Sequence, residues 1–184
     1  MKKIAIIGSP GAGKTTFAKT WSRVLRIKVY HLDRIFWKRG WEPIDRETRI
    51  DILQNVVQEK QWIIEGTYIS SSEPRLEAAD TIIFLDASPF VCLLHTIKRH
   101  REYHGLSRRD IPEGCTDRLT PLRMLKLLSF PLHGRRRLED KLRKFPPEKV
   151  IRLRSAKEIH RFLMHIEVSS PSLVKATHLA SARR

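Results

Sequence analysis

Cysteine is almost missing from this chain. Cys92 and Cys115 are the only two in 184 residues, which excludes a disulfide framework and fits a reducing compartment. No apolar run approaches the roughly 20 residues of a membrane-crossing helix. The run Ile4–Ile7 behind Met1-Lys2-Lys3 stops at Gly8, too short for the core of a secretion signal. A cytoplasmic chain with no membrane partner is expected. His100, His104 and Cys115 lie close in sequence, but the paired cysteines of a zinc site are lacking, so zinc is not expected. No Ser/His/Asp or Cys/His arrangement, no helix-turn-helix or RNA-binding motif and no internal repeat is present.

Acidic residues are also scarce. Lys and Arg number 36 against 20 Asp and Glu, a formal charge of +16. The excess is local. Residues 1–94 carry 14 basic and 11 acidic side chains, residues 95–154 carry 17 and 7, and residues 155–184 carry 5 and 2. A middle stretch at net +10 suits a polyanion: ATP, a phosphorylated substrate or nucleic acid.

Short Ile- and Val-rich runs alternate with helical patterns. The runs are Ile4–Ile7, Ile27–Tyr30, Trp62–Ile64, Thr81–Leu85 and Val150–Leu153, as expected of strands buried on both faces. Helices are predicted from Thr15 to Leu25, behind Asp45, behind Ser88-Pro89, and behind the capping box Ser155-x-x-Glu158. The alternation implies a three-layer α/β fold with a parallel sheet. Residues 103–118, with Gly105, Pro112 and Gly114 among charges, read as a mobile excursion, and the tail from Glu167 to Arg184 as disordered.

Gly8-Ser9-Pro10-Gly11-Ala12-Gly13-Lys14-Thr15 fills every fixed position of G-x-x-x-x-G-K-[ST], between a strand and a helix. Glycines let backbone N–H groups curl round a phosphate, and the helix N-terminus that follows adds its positive dipole end. Lys14 offers a point charge to the β- and γ-phosphates, and Thr15 a hydroxyl to Mg²⁺. The residues Gly8 to Thr16 are therefore expected to bind ATP with Mg²⁺. At the ends of later runs stand the acids Asp33, Glu65 and Asp86. Read alone, Asp86 after three hydrophobic residues is the obvious metal carboxylate.

Met1–Thr16, Tyr30-His31-Leu32-Asp33, Trp62-Ile63-Ile64-Glu65-Gly66-Thr67-Tyr68 and Ala79–Asp86 resemble the bacterial topology-modulation-protein (FlaR-like) family, which is related to adenylate and shikimate kinases. The likeness runs from Met1 to about Ile166. It implies a single P-loop NTPase domain over 1–166, with a five-stranded parallel sheet in the order 2-3-1-4-5 and an arginine-rich lid at about 103–118. In that order the metal carboxylate belongs on the third strand, which ranks Glu65 beside Thr15 as the Mg²⁺ pair and leaves Asp86 as the alternative. Asp33 falls where related kinases place the carboxylate that takes the acceptor hydroxyl, with Glu65 the other candidate base. Arg34 falls near the grip on the acceptor, with Trp37 and Trp41 close behind.

The resemblance also gives Arg99 a phosphate-binding role, whereas His95 stands where related kinases have a second arginine. Arg101, Arg108, Arg109 and Arg118 become candidate lid arginines, and Arg135 and Arg137 can face the same cleft. The expected activity is an ATP-dependent, adenylate-kinase-like phosphotransferase acting on a small molecule or nucleotide, as a monomer or homodimer. Lys14, Asp33 and Arg99 are its expected catalytic residues. A nucleic-acid-associated ATPase or regulator of DNA topology is the alternative.

Overall fold

The computed structural model describes residues 1–103, 110–115 and 120–169. Five strands form one parallel sheet: β1 (Lys3–Gly8), β2 (Val29–His31), β3 (Trp62–Glu65), β4 (Thr81–Leu85) and β5 (Val150–Leu153). Their order is β2-β3-β1-β4-β5, as expected. The P-loop strand β1 is therefore central, with Ile6 opposite Glu65 of β3 and Gly8 opposite Leu85 of β4.

Alternation along these strands feeds two cores. Ile4, Ile6, Ile63, Ile83 and Leu85 face one side, where helices α1 (Lys14–Leu25), α5 (Pro89–Glu102), α6 (Pro121–Ser129) and α8 (Ala156–Ser169) pack. Phe17 and Trp21 of α1 meet edge-on, their centroids 5.3 Å apart, and Phe162 of α8 closes the group. Ala5, Ile7, Ile64, Ile82 and Phe84 face the other side. There they meet α2 (Leu32–Ile35), α3 (Arg46–Val57), α4 (Glu73–Ala78) and α7 (Arg135–Leu142). Burying each large apolar side chain stabilises the fold by about 1.5–3 kcal/mol.

Caps explain where the helices begin. Asp45 accepts from the Thr48 N–H at 2.8 Å and Ser88 from the Val91 N–H at 3.3 Å. Ser155 accepts from the Glu158 N–H at 3.2 Å, but the Glu158 carboxylate takes the Arg154 N–H rather than that of Ser155 itself. The expected box is thus closed one residue earlier.

The stretch between α2 and α3 is a two-stranded antiparallel ribbon, Trp37–Lys38 against Glu42–Pro43, turned by Gly40 at φ 78°. Of the expected lid, Arg108, Arg109 and Arg118 lie outside the described residues. Asp110–Cys115 is described, and it packs between α1 and the ribbon. Lys19 on α1 pairs with Asp110 at 3.1 Å, the Cys115 thiol meets the Lys38 carbonyl at 3.6 Å, and Ile111 and Cys115 are buried. Helix α8 runs to Ser169, past the expected boundary at 166, and the rest of the expected tail, 170–184, lies outside the described residues. No helix among the described residues is long and apolar enough to cross a membrane.

Candidate functional site

The loop from Gly8 to Lys14 joins the central strand to α1 and lies against α5. A Cβ on Gly11 would stand 2.3 Å from the Cys92 carbonyl oxygen and 2.8 Å from the Thr96 hydroxyl. Glycine is thus required for the loop to approach that helix. His95, one turn along from Cys92, places Nδ1 3.0 Å from the Gly11 carbonyl. A carbonyl only accepts, so Nδ1 carries the proton and donates. In the sequence His95 marks only the place of a missing arginine, and no local pattern ties it to Gly11.

Lys14 Nζ donates to the carbonyls of Gly8, at 3.1 Å, and Ser9, at 2.9 Å. Burial lowers the pKa of this amine below the ordinary lysine value. The carboxylates of Glu65 and Asp33 oppose that shift, and the nearby Arg99 charge adds to it. The charges of Glu65, Asp33 and Arg99 thus all act on the Lys14 amine.

The end of β3 faces α1. Thr15 Oγ1 donates to Glu65 Oε1 at 3.0 Å, and His31 Nδ1, at the end of β2, lies 2.8 Å from the same oxygen. The Glu65 side chain is 5 % exposed. Two residues on, the Thr67 hydroxyl donates to the Gly8 carbonyl. Tyr68 donates its hydroxyl to Asp33 Oδ1 at 2.6 Å and accepts from Trp37 Nε1 at 2.6 Å. Its backbone sits at φ 28°, a left-handed conformation costly for a tyrosine. Burial first, then Asp33, pushes the Tyr68 phenol well above its usual range, so it stays a donor. The segment Glu65–Tyr68 therefore touches the threonine, the P-loop backbone and Asp33 in turn.

The remaining candidates divide. Thr16 is exposed on the first turn of α1, and Arg34 is exposed on α2. Trp37 and Trp41 meet edge-on at 5.7 Å on the ribbon. Arg49 of α3 lies over the rings of Phe36, at 5.6 Å, and Tyr68, at 5.8 Å. Asp86 is held by arginines: Arg135 Nη2 at 2.9 Å and Arg152 Nε at 2.8 Å, with Glu139 taking Arg152 Nη2 at 2.5 Å. Arg137 is exposed and lines a separate cleft of about 460 Å³ together with Arg46, Ser70, Glu73 and Lys141. In this basic stretch, then, Arg135, Arg152, Lys141 and Arg143 already have carboxylate partners.

The donor set fits a magnesium nucleotide. A hydroxyl and a carboxylate oxygen, hard ligands for Mg²⁺, meet beside a loop whose close approaches at Gly8 and Gly11 leave no room for a Cβ. Among the described residues no group of three or more His, Cys, Asp or Glu side chains is placed to hold a metal, so a cation here would keep water or phosphate ligands.

No family model and no curated protein matches the chain. Solved structures do. A shikimate kinase from Acinetobacter baumannii in complex with shikimate superposes with a TM-score of 0.56 at 13% identity, covering 93% of this chain and 96% of its own. A gluconokinase from Sinorhizobium meliloti gives a TM-score of 0.54 at 13% identity, covering 98% and 97%. The five-stranded parallel sheet with its flanking helices matches a P-loop kinase α/β fold.

Proposed function

We propose that the chain is a Mg²⁺-dependent phosphotransferase that moves the γ-phosphate of ATP to a hydroxyl of a small molecule or nucleotide. The observation that carries this reading is the contact of Thr15 with Glu65 beside a glycine-built phosphate loop. The kinase-like fold and the resemblance of the quoted blocks to the topology-modulation family support it, and we read the chain as a member of that family.

In this reading Gly8 to Thr16 hold the nucleotide and Thr15 with Glu65 hold Mg²⁺, which would draw off charge from the β- and γ-phosphate oxygens. Glu65 is preferred to Asp86 because Asp86 is committed to Arg135 and Arg152. Lys14 leaves the Gly8 and Ser9 carbonyls for the phosphates, and Thr67 continues to satisfy Gly8. Arg99 adds positive charge where the transferred group passes. Asp33 keeps Oδ2 for the acceptor hydroxyl, since Tyr68 occupies Oδ1, and takes its proton as the phosphoryl group moves. Trp37 and Arg34 are the candidate acceptor contacts, whereas Arg135 is paired with Asp86 and Arg137 lines the separate cleft, so neither α7 arginine is carried into this reading.

The test mixes the purified chain and MgATP with a panel of nucleosides, nucleoside monophosphates and small hydroxy acids, and follows ADP. An acceptor should raise ADP release well above the level of Lys14→Ala. A panel on which the two proteins are indistinguishable removes the kinase reading.

A further inference from the structure

Behind the segment Glu65–Tyr68 lies a charge that the proposed reaction does not use. Arg75, on α4, is fully buried in the core shared by Leu76 and Ala79. Its Nη2 donates to the Thr67 carbonyl. Nε and Nη1 have no hydrogen-bond partner among the described residues. Burial lowers its pKa to about 10, with Glu65 and then Tyr68 opposing the shift, so the guanidinium remains charged at neutral pH.

Such a placement is expensive. A buried cation without full pairing costs several kcal/mol, and an apolar side chain of similar length could fill the space without that cost. Stability does not account for an arginine here, whereas its contacts do. The carbonyl it grips belongs to the residue whose hydroxyl holds Gly8, and the carboxylate that acts on it is the one bonded to Thr15.

We propose that Arg75 is a positioning residue of the magnesium-nucleotide site. It fixes Thr67 so that Thr67 reaches the Gly8 carbonyl, and its positive charge offsets the negative charge of the Glu65 carboxylate. The inference rests on the reading of Thr15 and Glu65 as the metal pair. It predicts that Arg75 contributes to metal-dependent binding and costs stability.

The full chain, Arg75→Met and Arg75→Lys are compared by thermal melting and by calorimetry with ATP, with and without Mg²⁺. Arg75→Met should melt at or above the wild type and lose MgATP affinity by about tenfold or more, while metal-free ATP binding changes little. Arg75→Lys should recover part of the loss. Wild-type MgATP affinity in Arg75→Met, or an equal loss of both affinities together with a lower melting point, overturns the proposal. Should Arg75→Met fail to fold, Thr67→Val decides. Weakened MgATP binding supports the link to Gly8, and wild-type binding overturns it. A wild-type chain that binds no MgATP removes the nucleotide reading itself, and with it the basis for this one.

Discussion

Thr15 Oγ1 and Glu65 Oε1 meet at 3.0 Å across 50 residues of chain, joining the end of the phosphate loop to the end of β3. Parallel pairing of β1 with β3 brings the two within reach, because it sets Ile6, two residues before the loop begins, opposite Glu65. Glu65→Gln keeps an oxygen for the Thr15 hydroxyl but removes the charge. We expect it to fold like the wild type and to lose MgATP affinity by about tenfold to a hundredfold. Calorimetry with Mg²⁺ and with EDTA reads the difference, and an equal loss in both buffers would place the metal elsewhere.

His31 tests the same carboxylate from the other side. Its Nδ1 is 2.8 Å from Glu65 Oε1, with its side chain 15 % exposed. A partner of this kind orients a metal-binding carboxylate without touching the metal. His31→Phe should raise the Mg²⁺ concentration needed for half-maximal ATP binding by about tenfold. An unchanged magnesium titration would make His31 a packing residue.

Lys14 makes a prediction about pH. Burial lowers its pKa in the fold, so between that lowered value and the ordinary 10.5 the unfolded chain binds a proton that the folded chain does not. Stability from this group therefore rises with pH across that window. Below it, the folded state bears the full cost of a buried charge. Lys14→Met removes the group, so the wild type should gain stability relative to Lys14→Met as pH climbs towards 10.5. Urea unfolding of both proteins at neutral and alkaline pH measures the gap, and a constant gap would contradict the burial argument. Phosphotransfer should fall on the order of a hundredfold or more in the same variant.

Much of this site was legible because it is local. Gly8 to Thr15 is contiguous, and five apolar runs between helical patterns are enough to order the sheet once the family resemblance is added. Contacts made by chain return were not legible. His95 reaches Gly11 and Tyr68 reaches Asp33 across long gaps in sequence, and no spacing rule links them. Asp86 shows the opposite problem. Its position after a hydrophobic run looks like a metal site, yet Arg152 on the neighbouring strand β5, together with Arg135, claims it. Arg75 reads as one more surface charge in Glu-Pro-Arg-Leu-Glu, and only the packing of α4 reveals that it is buried.

Gly11 and Gly13 separate two reasons for a glycine. Both have positive φ, 80° and 87°. A Cβ on Gly11 collides with the Cys92 backbone at 2.3 Å, whereas one on Gly13 meets nothing within 4 Å. Gly13→Ala should therefore cost only the left-handed conformation, about 1–2 kcal/mol. Gly11→Ala should cost clearly more and loosen α5 from the loop. Chemical denaturation ranks them, and equal losses would mean that the loop yields freely at Gly11.

Tyr68 separates the proposed acceptor half of the site from the proposed nucleotide half. Its hydroxyl joins Trp37 on the ribbon to Asp33, with no bond to the phosphate loop among the described contacts. Tyr68→Phe keeps the ring that packs on Phe36 at 4.9 Å and lies under Arg49. It deletes one bond to a charged group, and such bonds contribute about 1.5–3 kcal/mol each. With Asp33 no longer held, phosphoryl transfer to whichever acceptor the panel identifies should slow by about tenfold to a hundredfold, while MgATP affinity stays at the wild-type value. Trp37 loses the acceptor of its indole N–H in the same variant, so its fluorescence should shift and confirm that the chain of bonds was broken. A variant that transfers phosphate at the wild-type rate with that shift present would leave Asp33 without need of Tyr68, and would return the choice of base to Glu65.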